Sequence, residues 1–239
     1  AGFAISGEKV WVLNGHAADH LVVVARTAGA QSDAAGLSLF VVDANAPGLT
    51  RTRVPTMDGQ RCGLLRFENV EVGADRLLGE ANTALASIEW AIDRGAAAAC
   101  AEGVGLMDKL LAVTVEYMNT RKQFGVAIAS FQALRHRVAD VKMQLELARS
   151  MSYYASLKLG EPPAQRRRAL SQAKVQLGQS MRFAGQQCIQ LHGGIGVTDE
   201  YIGSHYFKRL TMMELSYGDT LHHLGEVSAR LQDTAGVFA

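Results

Sequence analysis

Cysteine is scarce in this chain. Cys62, Cys100 and Cys188 are the only three among 239 residues, and they stand far apart. None forms a C-x-x-C pair and the number is odd, so neither a disulfide framework nor a zinc cluster is indicated; a reducing, cytoplasmic setting fits. Proline is nearly as rare, with four residues at positions 47, 55, 162 and 163. None of them interrupts the later stretches of helical pattern. No apolar run is long enough to span a bilayer, and no basic-then-apolar leader opens the chain. An excess of one charge is also missing, since 24 Lys and Arg face 23 Asp and Glu. A nucleic-acid surface needs a basic excess, so that class is set aside.

What is present is ordinary for a globular protein: 48% apolar and 20% charged residues, in a chain long enough for one large core or two modest ones. The opening "AGFAISGEKV" reads like the middle of a domain, which suggests residues upstream. Residues 1 to 80 read as strands. "GFAIS" and "KVWVL" flank Gly7 as a hairpin would, and "HLVVVART", "LSLFVVDA" and "CGLLRFENVEV" are β-branched or aromatic runs bounded by turn residues.

The pattern changes near Leu78-Gly79. From about Ala81 the chain reads as helix, and residues 81–239 as a bundle of antiparallel helices. Ser130 is placed to cap a helix whose apolar positions are Phe131, Leu134, Val138, Val141, Leu145 and Ala148, in steps of three and four. After the Pro162-Pro163 turn, Leu170, Ala173, Leu177, Met181, Ala184, Cys188 and Leu191 share one helix face, which stops at Gly193-Gly194. A last helical stretch from about Asp199 is interrupted near Tyr217-Gly218. The fold class is therefore α+β: a β-barrel-like antiparallel domain over 1–80, then an antiparallel four-helix bundle over 81–239.

Two stretches invite a chemical reading. "TRKQFG" places Arg121 and Lys122 ahead of a helix start, either as a solvated loop or as an anion site, for which Arg offers a rigid fork of donors. "QLHGGIGVTDEY" ends a helix in two glycines, either as a C-terminal cap or as bare backbone that a ligand approaches closely. Arg166-Arg167-Arg168 reads as a solvated helix start. His222-His223 reads as no metal site, because neighbouring helix residues point about 100° apart.

Together, "TRKQFGVAIASFQALRHRVAD", "QCIQLHGGIGVTDEY" and "GEKVWVLNG" resemble the acyl-CoA dehydrogenase family, in the family's order and over essentially the whole chain. The resemblance implies the later part of a middle β-domain and a complete C-terminal helical domain, with the N-terminal helical domain absent. It implies FAD lying across a subunit interface. Arg121, Gln123, Phe124 and Gln132 would reach the diphosphate and adenosine of a neighbour's FAD, beside Gln190, Leu191, His192, Gly193 and Gly194. Trp11 would flank the flavin ring, and Thr220 and His222 match positions that touch it. Leu13 stands where relatives carry a hydroxyl residue. Asp93 and Arg94 lie where relatives approach the substrate.

The reaction implied removes an α-proton from an acyl-CoA thioester while the β-hydride leaves for the flavin, and it needs a carboxylate base. Gly218 takes the usual Glu position in Tyr217-Gly218-Asp219-Thr220, and Gly95 takes the position used by other members. Asp219 is the nearby carboxylate, read equally as a capping residue. Two readings follow within the family: a working dehydrogenase with Asp219 as base, or a subunit without a base that completes the FAD site of a second chain. A flavin-dependent oxidase of the nitroalkane oxidase kind, or a monooxygenase, is the alternative. The implied partners are an acyl-CoA substrate, an electron-transfer flavoprotein or similar acceptor, and a homo- or hetero-oligomer of two or four chains.

Overall fold

The computed structural model describes residues 2–229 and Leu231. The chain divides into two compact units, residues 1–91 and 92–239. Each is taken by itself.

The first unit holds β1 (Gly2–Leu13), β2 (His20–Arg26), β3 (Leu37–Asp43), β4 (Leu49–Pro55), β5 (Arg61–Gly73) and the short β6 (Leu77–Leu78). They form two antiparallel sheets, ordered β1-β5-β4 and β2-β3-β6. Alternation does the sorting: along β2, Leu21 and Val23 are buried while Val22 is exposed, as a strand with one wet face requires. Ile5, Phe40, Val42, Leu65, Phe67, Val70 and Val72 join them in one core shared by both sheets.

The hairpin expected at Gly7 is not formed. β1 runs straight through it, paired with the 13-residue β5, and shifts register between Ile5 and Gly7. Gly7 adopts φ +141, so the chain absorbs an extra residue as a bulge and does not reverse. A second shift between Lys9 and Val12 encloses Trp11, whose φ is +54. That is a costly backbone state for a bulky residue.

Helix α1 (Leu85–Thr120) starts four residues later than the pattern suggested, because Thr83 still bridges Leu37 of β3. The second unit then contains a two-residue-stranded hairpin, β7 (Lys122–Gln123) and β8 (Val126–Ala127), followed by α2 (Gln132–Leu157), α3 (Pro163–His192), α4 (Ile202–Leu215) and α5 (Thr220–Ala229). Helix α3 is the centre, packed on α2, α4 and α5. All seven of its expected core positions, from Leu170 to Leu191, are buried. On α2 the seam is buried only from Val141 onward; Phe131 is exposed. Ser130 is not the cap of α2. Its hydroxyl donates to the Ala127 carbonyl at 2.7 Å, and Phe131 takes the cap position.

A buried cation joins α3 to the end of α4. Lys174 of α3 is 1% exposed. Its ammonium donates to the carbonyls of Met213 (3.2 Å), Glu214 (3.2 Å) and Ser216 (2.6 Å), the orphaned acceptors at the end of α4. Glu214 in turn accepts from the Thr220 amide (3.1 Å) and hydroxyl (2.7 Å) at the start of α5, with Arg182 3.3 Å away. The four-residue link between α4 and α5 is thus held at both ends by charged side chains.

Candidate functional site

Helices α1 and α3 end side by side, and a groove of about 490 Å³ opens between their ends. Tyr117, Arg121, Gln123, Gln190, Gly193 and Gly194 are among the residues that line it. Two motifs some 70 positions apart in sequence therefore meet at one surface. Arg121 follows the last turn of α1, its amide bonded to the Tyr117 carbonyl at 2.8 Å. Its side chain is exposed. The loop after it is shaped as a tight hairpin, closed by Ile128 N to Arg121 O at 2.9 Å. Phe124 and Gly125 occupy the corner at φ +56 and +81, the pair of left-handed residues a two-residue hairpin turn requires.

Phe124 stands 91% exposed at that corner, edge-on to Phe131 at 6.1 Å. Gln132 is exposed at the first residue of α2. Neither lines the groove. Gln123 does, with its amide nitrogen donating to the Lys122 carbonyl at 2.8 Å. Gly193 ends α3 at φ +63, and no atom lies within 4 Å of where a Cβ on Gly193 or Gly194 would be. The backbone there is bare on its open side. Both helices present their carbonyl ends to the groove, which by themselves disfavour an anion. Attraction for one must come from the cations of the hairpin.

His192 differs from its neighbours. It is 3% exposed and both ring nitrogens are engaged inside the chain. Nδ1 donates to the Cys188 carbonyl at 2.7 Å, so in the neutral ring Nε2 accepts from the Tyr201 hydroxyl at 2.9 Å. Burial lowers the pKa of His192 below the usual histidine range, which keeps it neutral. Tyr117 and Tyr201, together with Ile128 and Ile195 of the groove wall, were not singled out from sequence, and Leu134 was read there only as an apolar helix position. Tyr117 had a signal, lying one helical turn before Arg121 on the same face. Tyr201 had none.

The Tyr217–Thr220 segment forms the tight link between α4 and α5. Tyr217 (φ +57) and Gly218 (φ +94) are both left-handed. A Cβ on Gly218 would lie 2.6 Å from His222 Cδ2 and 2.9 Å from His223 Nε2. A Cβ on Gly95 would lie 2.4 Å from two ring atoms of Tyr217. Both places where the resemblance led us to look for a glutamate are closed by neighbouring rings. The Asp219 carboxylate accepts from the His222 amide at 2.7 Å, the bond of a helix N-cap on α5. The Thr220 hydroxyl is engaged by Glu214. The His222 and His223 rings meet edge-on at 5.0 Å. His223 is buried, donating from Nε2 to the Tyr217 carbonyl (2.9 Å), with Nδ1 3.2 Å from the Ser171 hydroxyl.

Asp93 is 6% exposed, and its carboxylate accepts from Arg166 Nε at 2.6 Å. The expectation of a solvated arginine run is corrected at its first member, because Arg166 is 8% exposed and pairs α3 with α1. Arg94, beside Asp93 on α1, is half-buried. In the first unit Trp11 is 61% exposed and Leu13 64% exposed. Among the described residues no helix is long and apolar enough to cross a membrane.

The acyl-CoA dehydrogenase middle-domain sequence model matches residues 1–70, and the C-terminal-domain model matches residues 85–232. The probable acyl-CoA dehydrogenase YngJ of Bacillus subtilis is 32% identical over 220 residues, covering 90% of this chain and 57% of its own. The structure of butyryl-CoA dehydrogenase from Megasphaera elsdenii superposes with a TM-score of 0.87 at 26% identity, over 97% of this chain and 61% of that one. The ChsE4-ChsE5 complex from Mycobacterium tuberculosis gives 0.86 at 26% identity, over 98% and 61%. The chain thus spans little more than half the length of these relatives. With both family domains matched in order and the fold reproduced, the chain belongs to the acyl-CoA dehydrogenase family.

Proposed function

We propose that this chain is a subunit of an FAD-dependent acyl-CoA dehydrogenase, supplying the diphosphate and adenosine side of a flavin site and no base of its own. Residues 1–80 would be its partial middle β-domain and 81–239 its helical domain. One observation carries the reading: the Arg121 hairpin and the Gln190–Gly194 turn line a single groove, while Asp219 is engaged as the cap of α5. A relative is itself described as a complex of two differently named chains, which supports a mixed assembly.

The groove fits the group. Its open glycine backbone admits close approach, Gln123 and Gln190 bring amides, and Arg121 supplies the charge that two carbonyl-ended helices cannot. FAD, when bound, supplies the two-electron acceptor for the dehydrogenation of an acyl-CoA, and an electron-transfer flavoprotein would take those electrons onward. What this chain does is hold and orient: Arg121 fixes the diphosphate, and the Gly193-Gly194 turn bounds it. The α-proton then falls to a carboxylate on the partner chain. Asp219 as base, whether in a working dehydrogenase or in a nitroalkane oxidase-like enzyme, is less well supported, because its carboxylate is turned onto the His222 amide.

The test uses the full-length chain purified with whatever accompanies it. Arg121→Ala should lower flavin affinity about ten- to a hundredfold, the loss of one charge-assisted bond, and Arg121→Lys should restore only part of it. Asp219→Asn, which still caps a helix well, should leave turnover unchanged. A chain that alone binds FAD one-to-one and dehydrogenates an acyl-CoA, with that activity lost in Asp219→Asn, would overturn the reading.

A further inference from the structure

The groove is only as well defined as the distance between its walls. One wall starts at the end of α1, where Tyr117 is followed four residues later by Arg121. The other is the end of α3, where His192 is followed by Gly193 and Gly194. A cluster of three rings joins them. The His192 ring packs against both Tyr117 (centroids 4.7 Å, planes 36° apart) and Tyr201 (4.7 Å, 50°), and the two tyrosines also meet each other at 6.1 Å.

The cluster has a polar lock. His192 Nδ1 is held by the Cys188 carbonyl within its own helix, so its tautomer is set and Nε2 can only accept. Among the described residues its donor is the Tyr201 hydroxyl at 2.9 Å. Burial, with Glu116 and Tyr117 nearby, raises the pKa of Tyr201, so the phenol keeps that proton. Tyr201 is anchored in turn: its carbonyl accepts from the Ser204 amide (3.1 Å) and hydroxyl (2.9 Å) at the start of α4. Between His192 and Tyr201 the chain makes only the Gly193–Val197 3₁₀ turn and a short bend. Pinning both ends fixes the glycine turn in between.

We infer that Tyr117 and Tyr201 are positioning residues for the groove, clamping His192 so that the Gly193-Gly194 turn is held at a fixed distance from Arg121. The inference rests on the groove being an anion-holding cofactor site. It gives Tyr117, His192 and Tyr201 a defined task in shaping the groove. It also separates the hydroxyls: that of Tyr201 is used, whereas that of Tyr117 makes no hydrogen bond among the described residues and only its ring matters.

The variant that isolates the lock is Tyr201→Phe, which keeps the ring and removes the donor. Two measurements are made on the full-length chain with its natural partners. By amide hydrogen exchange, residues 193–198 should exchange about fivefold faster or more, the loss of one neutral hydrogen bond, with the α2 and α3 cores unchanged. FAD affinity should fall by a similar factor, and less than additively when combined with Arg121→Ala, because a displaced turn matters only while Arg121 grips the opposite side. Tyr117→Phe should change neither quantity; Tyr117→Leu should change both. Unaltered exchange at 193–198 in Tyr201→Phe would overturn the clamp whatever the groove binds. Faster exchange with unchanged FAD affinity, while Arg121→Ala still loses flavin, would overturn the positioning role and leave the cofactor site standing. If Arg121→Ala keeps its flavin, the cofactor reading of the groove fails, and the positioning role fails with it.

Discussion

Replacing Lys174 by methionine probes the link between α4 and α5 most directly. Methionine fills nearly the same volume, so little cavity forms, and the change is one of charge and hydrogen bonding. Three carbonyls lose the ammonium. Each buried acceptor left unmade costs about 1–3 kcal/mol. Against this stands the relief of releasing a buried ammonium, several kcal/mol in real proteins. Burial does outweigh attraction at Lys174: its pKa is lowered despite the nearby Cys100, Glu214 and Asp219. The two sums oppose, and a net loss of about 2–4 kcal/mol is expected, because the Ser216 carbonyl at 2.6 Å and the Glu214 carbonyl lose their donor, whereas the Met213 carbonyl keeps the Ser216 amide at 3.3 Å. Urea unfolding should show an earlier midpoint at unchanged slope, with amides of 213–223 exchanging first. A variant as stable as the parent, with 213–223 still protected, would refute the reasoning. The left-handed pair Tyr217-Gly218 and the Glu214 cap would then suffice to shape the link.

Asp93→Ala should cost about 3–5 kcal/mol, since it leaves the Arg166 guanidinium buried without its carboxylate. Urea midpoints check this, and Asp93→Leu combined with Arg166→Met should recover most of the loss. Acid should weaken the fold early: burial lowers the pKa of both His192 and His223, so the unfolded chain binds protons first as pH drops below about 6.5. The stability present above that pH is lost as pH falls through the lower folded-state values. Melting temperatures taken from about pH 7.5 to about pH 5.5 should fall, and a flat profile would show that these rings are not held neutral.

The change from strand to helix near residue 80, the buried face of α3 and the break at Tyr217-Gly218 were all legible, because each rests on local period and turn chemistry. A run of apolar residues at steps of three and four needs no knowledge of its partner. The same rules misread Gly7 and Ser130. A glycine between two β runs is a turn in isolation, but a 13-residue partner strand carries β1 straight through it. Ser130 has the right chemistry for a cap, yet the hairpin before it places the Ala127 carbonyl within its reach. The Arg166 run looked solvated because its partner Asp93 lies 73 residues away.

The sequence by itself determined the order of a strand-rich part and a helical part, the family, and the motifs that we propose meet an anion, since motif and periodicity are properties of neighbours along the chain. Only the tertiary structure decided which of those residues meet. It brought Arg121 and Gln123 to Gln190 and Gly193, and left Phe124 and Gln132 outside the groove. It turned Asp219 onto the His222 amide, filled the space over Gly95 with Tyr217, and buried Lys174 beneath three carbonyls. Those outcomes depend on which helix ends pack together, and therefore on contacts between residues tens of positions apart that no local pattern records.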